Sequence, residues 1–181
     1  MRGPTGVQAL MTDLIVRSIK PADADDVAAI YAHESVIANT GQIPHRDAAF
    51  WQNFYKSRDP GGVELVCEIE GRAVGHLGMI LNHGPRRKHV ASFGISVHPD
   101  FQGRGVGNAL MTEMLNMADN WLNLLRVELM VASENQRAMK LYEKHGFVVE
   151  GEARFDMFRA GKYAHSTHMA RLNPNQSGLL T

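Results

Sequence analysis

Two clusters of residues carry most of the chemistry legible in this chain. The first is Val97-His98-Pro99-Asp100-Phe101-Gln102-Gly103-Arg104-Gly105-Val106-Gly107, a glycine-rich run between a strand-like and a helix-like segment. Glycines let backbone N–H groups turn toward a ligand with no Cβ in the way. A helix N-terminus adds partial positive charge, so the two together make an anion site, to which Arg104 offers a guanidinium. The nucleotide loop GxxxxGK is excluded, because no Lys-Ser or Lys-Thr follows the glycines. The dinucleotide fingerprint GxGxxG fails too, ending on Asn108 when counted from Gly103 and on Leu110 when counted from Gly105. Taken alone, the run also fits a plain strand-to-helix turn.

The second cluster is Glu134-Asn135-Gln136-Arg137-Ala138-Met139-Lys140-Leu141-Tyr142-Glu143-Lys144-His145-Gly146-Phe147. With Gln102, Gly105 and Gly107 matching Gln/Arg-x-x-Gly-x-Gly/Ala, and Asn135, Ala138, Leu141, Tyr142, Gly146 and Phe147 matching Asn-x-x-Ala-x-x-Leu-Tyr-x-x-x-Gly-Phe, the chain resembles the GNAT superfamily of acetyl-CoA-dependent N-acetyltransferases. Runs similar to Asn39-Thr40, Pro85-Arg86-Arg87 and Asp119-Asn120-Trp121-Leu122 bring it closest in look to bacterial members acting on L-amino acids. The resemblance implies an α/β domain with a mixed α+β sheet, mostly antiparallel, splayed between two parallel strands and flanked by helices on both faces. It implies acetyl-CoA as co-substrate, a small primary amine as acceptor, direct attack of that amine on the thioester, and a homodimer. Carried over, the backbone of Ile95, Ser96 and Val97 holds the pantetheine arm, and the amides of Gln102, Gly103, Arg104, Gly105, Val106 and Gly107 hold the pyrophosphate. The Ile95 N–H faces the oxyanion, Tyr142 protonates the leaving thiolate, and Asn135 caps a helix, bonds the coenzyme arm, or both. For Tyr142 the competing reading is packing on the sheet beside Leu141.

An amine must lose a proton before it attacks, so a base or a water chain is expected. Histone-type members of the superfamily carry a Glu four residues before the oxyanion donor, where this chain has Ala91. His76, Glu68, Glu128 and water are the alternatives. No metal site is expected: His165 and His168 alternate across a strand, and no HExxH or Cys/His spacing occurs. Arg86-Arg87-Lys88 reads either as a solvated hairpin tip or as a clamp for an acceptor carboxylate. Phe50, Trp51, Phe54 and Tyr55 read as a helix packing face or as the wall of an acceptor pocket.

The elements that would position these groups follow from periodicity. Residues 14–19 read as a strand; Asp23 offers an N-cap to a helix through Val27, Ile30 and Tyr31; a second helix spans 46–57. Strands are expected over 63–69, 73–81 and 89–97, joined by hairpin turns at 70–72 and 82–88. A long helix presents Leu110, Met114, Met117, Ala118, Trp121 and Leu122 on one face, followed by a strand at 127–132, a helix at 135–145 and strands at 147–156 and 163–172. Residues 1–13 read as a flexible extension, 14–172 as the catalytic domain and 173–181 as a loose tail.

Composition sets the bounds. The chain has 181 residues, near one domain, with 19 basic and 19 acidic side chains. That balance speaks against non-specific nucleic-acid binding. The single cysteine, Cys67, rules out an internal disulfide, and no apolar run reaches membrane-spanning length. A cytoplasmic enzyme without membrane or nucleic-acid partners is expected. The competing functions are acetylation of a protein N-terminus or an antibiotic, and coenzyme binding without turnover.

Overall fold

Apolar, β-branched runs buried almost throughout along Val63–Ile69 and Arg72–Leu81 build the two strands of the first hairpin, with helices on both faces. The computed structural model describes residues 14–57 and 61–179; the extension assigned to residues 1–13 lies outside them, as do residues 58–60 of the turn after the second predicted helix. In chain order the elements are β1 (Ile15–Ser18), α1 (Ala24–Tyr31), α2 (Glu34–Ile37), α3 (Ala48–Lys56), β2 (Val63–Ile69), β3 (Arg72–Leu81), β4 (Val90–Val97), α4 (Val106–Asn120), β5 (Arg126–Ala132), α5 (Gln136–Lys144), β6 (Val148–Arg159) and β7 (Lys162–Leu172). The seven strands form one sheet in the order β1-β2-β3-β4-β5-β7-β6. Every neighbouring pair is antiparallel except β4–β5.

Each face of the sheet has its own core. On one, α4 and α5 bury Leu110, Met111, Met114 and Tyr142 against Leu65, Leu77, Val127 and Leu129. On the other, α1 and α3 bury Ile30 and Trp51 around Val66 and Ala73. A fully buried side chain of this size contributes roughly 1.5–3 kcal/mol. At Gly75 the backbone of β3 comes so close to α4 that a Cβ would stand 2.5 Å from Val106 Cγ1. Only glycine lets the helix begin where it does.

The structure revises four readings of the sequence. Asp23 stands at the start of α1 but makes no side-chain cap to that helix. Its carboxylate instead takes the Lys20 N–H at 2.7 Å and both terminal nitrogens of Arg17 at 2.8 Å, because an arginine on the adjacent strand outcompetes a single amide. Trp121 lies beyond the last turn of α4 and is 78% exposed, so it leaves the packed face that Leu110 and Met114 share. The last hairpin is longer than expected: β6 continues past a bulge between Ala153 and Met157 and turns at Ala160-Gly161, both at positive φ. Asn173, assigned to the tail, is buried and donates to the carbonyls of Asp119 and Leu124.

Arg17 also binds Glu68 at 2.7 Å, clasping β1 to β2 and to the entry of α1. The Arg17 hydrogen bond holds the Asp23 carboxyl well below its usual range, against the opposing effect of burial. A depressed carboxyl contributes stability that is whole above the ordinary aspartate value of about 3.9 and is lost as pH falls through the depressed one. Arg17→Gln should therefore cost about 2–3 kcal/mol at pH 7, with a smaller difference from the unaltered chain at pH 3, as read by urea unfolding at both pH values.

Candidate active site

Strands β4 and β5 run side by side but pair only from Val90–Arg126 to Ser92–Glu128. Beyond that point β4 stays bound to β3 as far as Val97, and β5 stays bound to β7 as far as Ala132. Each strand is held on its outer side while the inner sides part. From Phe93 and Leu129 onward the facing N–H and C=O groups have no partner strand. Such edges accept an extended, amide-bearing ligand as they would another strand.

A cavity of about 480 Å³ opens at this splay. Its floor is Ile95, Ser96 and Val97; one wall is the loop Gln102–Gly103 with Gly105, Val106 and Gly107; the opposite wall is Asn135, Arg137, Ala138, Leu141 and Tyr142 of the α5 segment. Ser35, Val36, Asn39 and Thr40, in and after the short helix α2, close it from the other face of the sheet. The sequence reading did not find α2. Four residues are too few for a periodic signal, and neither Asn39 nor Thr40 has a side chain that announces a pocket.

The glycine loop has the backbone its sequence implies. Gly103 and Gly105 sit at φ +78° and +89°, a region that disfavours side chains. Gly105 is the N-cap of α4, with no side-chain cap and no acidic residue in the first turn. By helix geometry the amides of Val106, Gly107 and Asn108 lack a preceding helical carbonyl and point out of the helix end. Gln102 turns its Nε2 to the Val97 carbonyl at 3.2 Å, while Arg137 donates to Gln102 Oε1. Arg137 is thus brought to the cavity wall beside the loop, a cation the sequence reading passed over although it stands two residues after Asn135. Arg104 does not line the cavity; its guanidinium lies 5.0 Å from the Phe101 ring centre.

Asn135 caps α5 through Oδ1, which accepts the Ala138 N–H at 3.1 Å, and lines the cavity as well. Tyr142 is 8% exposed, with Phe93 edge-on at 5.7 Å. Burial pushes its phenol up to about 12, so it stays protonated throughout the neutral range. Packing and a place at the cavity coexist in this one side chain.

The proposed bases fare differently. His76 is buried between Tyr31 Oη at 3.0 Å and Glu64 Oε2 at 2.7 Å, so both ring nitrogens are engaged. Glu68 binds Arg17, and Glu128 is held by Arg87 at 2.6 Å and Arg126 at 2.8 Å. None of the three lines the cavity. The aromatic set of α3 packs against Tyr31 and His76, with Trp51 fully buried, and does not line it either. Cys67 is buried and burial pushes its thiol up to about 11, which removes the chain's one thiol as a nucleophile.

Residues 27–147 match the family model described as the acetyltransferase (GNAT) family. The chain is 41% identical over 162 residues to the L-amino acid N-acetyltransferase AaaT of Escherichia coli (strain K12), covering 90% of this chain and 99% of that protein. It is 40% identical over 156 residues to a spermidine N(1)-acetyltransferase of Vibrio cholerae, covering 84% and 88%. Among solved structures, spermidine N-acetyltransferase from Vibrio cholerae in complex with CoA and spermine superposes with a TM-score of 0.79 at 26% identity, over 93% of this chain and 98% of that one. The chain belongs to the GNAT acetyltransferase family. It is an acyltransferase that uses acetyl-CoA as co-substrate and an amine as acceptor.

If the α4 end is the anion cradle, Gly105→Glu should place a carboxylate there at a position where any side chain costs about 1–2 kcal/mol. Isothermal titration should then show CoA affinity at least a hundredfold weaker, in a protein that still melts cooperatively.

Proposed function

We propose that this enzyme acetylates the amino group of free L-amino acids or close small analogues. The observation that carries the acceptor class is the cavity lining, which among the described residues contains no Asp or Glu. A polyamine carries several positive charges, and a site that takes it needs carboxylates to replace the water it loses. Arg137 is the one charged side chain in that lining, and it stands at the loop end. The acceptor side is instead neutral and polar, with Ser35, Asn39, Thr40 and Ser96. Such a lining suits an amine bearing a single positive charge. The similarity to AaaT, whose name states L-amino acids, supports the same choice over the spermidine enzymes.

Acetyl-CoA supplies an acetyl group already activated as a thioester. The chain's own groups divide the remaining work. The inner edge of β4 at Ile95 and Val97 binds the amide-bearing arm, whereas the register turns the Ser96 N–H and C=O to His76 of β3, against the expectation from sequence. The amides from Gln102 to Gly107, with Arg137 beside them, hold the diphosphate. The Ile95 N–H donates to the carbonyl oxygen as it gains charge, a role worth about 3–4 kcal/mol where such donors have been removed. Tyr142 gives its phenolic proton to the departing sulfur, because a buried phenol held near 12 is protonated at pH 7. Water takes the amine's proton, since His76, Glu68 and Glu128 are all engaged away from the cavity. Nitrogen attacks, the C–N bond forms and the C–S bond breaks; the nitrogen's remaining extra proton passes through water to restore the Tyr142 phenol, and no acyl-enzyme is made.

The reading extends to a homodimer in the cytoplasm. Met130 and Val148, exposed on one face of the β5–β7–β6 half of the sheet, support self-association. No helix of the described residues is long and apolar enough to cross a membrane.

Tyr142→Phe should lower kcat at least thirtyfold while changing the KM for acetyl-CoA less than threefold, in a stopped thiol-release assay. In the same assay, a panel of L-amino acids, spermine, N-terminal peptides and an aminoglycoside should give its highest kcat/KM with an amino acid. A higher value with spermine would overturn the acceptor assignment.

A further inference from the structure

The cross-strand register fixes which way the floor of the cavity points. Ser96 pairs with His76, so both side chains project from the same face of the sheet, the one covered by α1 and α3. Ile95 and Val97 alternate to the opposite face and pack with the α4 core. Ser96 is therefore the one member of the β4 floor whose side chain lies on the face of the sheet from which Ser35, Asn39 and Thr40 close the cavity. It is 6% exposed, and its hydroxyl oxygen is buried without a hydrogen-bond partner among the described residues. His76 does not serve it, since that imidazole is held between Tyr31 and Glu64. A buried hydroxyl left without a partner costs free energy that a ligand hydrogen bond recovers.

We infer that Ser96 Oγ accepts a hydrogen bond from the acceptor's amine and so aims its lone pair at the acetyl carbon. The inference rests on the amino-acid reading above and deepens it. Its chemistry follows from direction. An N–H donated to Oγ leaves the nitrogen lone pair free to attack, whereas a donor at that place would occupy the lone pair. The neighbouring residue, Ile95, carries the N–H assigned to the carbonyl oxygen, and successive residues of a strand advance by about 3.3 Å. Nucleophile and electrophile are thus held by adjacent residues, one through a side chain on the acceptor face and the other through the main chain at the splay. Ser96 acts here through its hydroxyl alone, since the register directs its backbone N–H and C=O to His76 of β3.

The test is steady-state kinetics of Ser96→Ala and Ser96→Thr with the amino acid that the unaltered chain turns over best, beside thermal melting. Loss of one hydrogen bond should lower acceptor kcat/KM about five- to tenfold in the alanine variant. The KM for acetyl-CoA should hold within twofold and Tm should stay level or rise, and the threonine variant should recover most of the loss. Unchanged acceptor kinetics in Ser96→Ala overturn the inference. A rise in the KM for acetyl-CoA in place of the acceptor effect overturns it too, because the hydroxyl would then serve the coenzyme. A lower Tm with equal loss toward every substrate overturns it in favour of a scaffold role. If the unaltered chain turns over no amino acid but acetylates another amine, the acceptor reading fails, and this inference with it.

Discussion

Everything functional in this molecule depends on where the β4–β5 ladder stops. Three register pairs hold the strands together from Val90 to Ser92, and then the ladder ends although both strands continue. Unpaired peptide groups inside a fold are costly, so the remainder of the sheet must hold the gap open. It does so by giving each strand a complete partner on its outer side, β3 along all of β4 and β7 along all of β5. The ring of Phe93, the first residue past the ladder, rests against Tyr142 and Phe147. Aromatic volume beneath the opening opposes its collapse. The same packing fixes Tyr142 at the cavity, so on the proposed reading one contact serves stability and chemistry together.

The glycine loop is subordinate to that opening. It works as a cradle only if α4 begins directly behind the end of β4, and two features set the start. Gly75 lets the first turn of α4 lie on the backbone of β3, where a methyl group would collide with Val106. At the other end of α4, Arg171 of β7 binds Asp119 through two hydrogen bonds of 2.7 and 2.8 Å, with both side chains largely buried. An acidic residue in a last helical turn opposes the helix dipole, and the guanidinium offsets that. The helix is pinned to the sheet at both ends, so the amides at its N-terminus cannot drift from the splay.

The fold was legible because its long elements obey one period each. Leu110, Met114 and Ala118 announce α4, and the apolar runs of β2 and β3 on either side of Glu70-Gly71-Arg72 announce the first hairpin, since both patterns are dictated by surfaces that must be buried. The loop and the α5 segment were legible through residues whose type is forced by backbone geometry or by a cap: Gly105 at positive φ, Asn135 at a helix start. What escaped is set by pairs distant in sequence. Whether His76 is a free base depends on Tyr31 and Glu64, and whether Glu128 is depends in part on Arg87, 41 residues away. No local pattern encodes those partners. Asp23 escaped for another reason: its partner Arg17 is only six residues away, but it stands on a strand, and no helix or strand period sets the turn that brings the two together.

The missing carboxylate base then has a physical reading. A base inside the cavity would stand as an anion in a site built to hold a diphosphate, and repulsion between them would weaken coenzyme binding. It would also attract polycations. By keeping its acids outside, in pairs with arginine, the enzyme leaves the acceptor side neutral and uses position in place of proton affinity. With water as the proposed proton acceptor, the fraction of free amine, and the rate with it, rises with pH toward the amine's own pKa. On the proposed reading, burial keeps the Tyr142 phenol protonated at neutral pH, and because the same upward push makes it a weaker acid, it serves the leaving sulfur as a positioned hydrogen-bond donor whose proton moves as the C–S bond breaks. On the proposed reading the site's buried polar groups serve direction and the leaving group, where a dry, close-packed pocket is most effective.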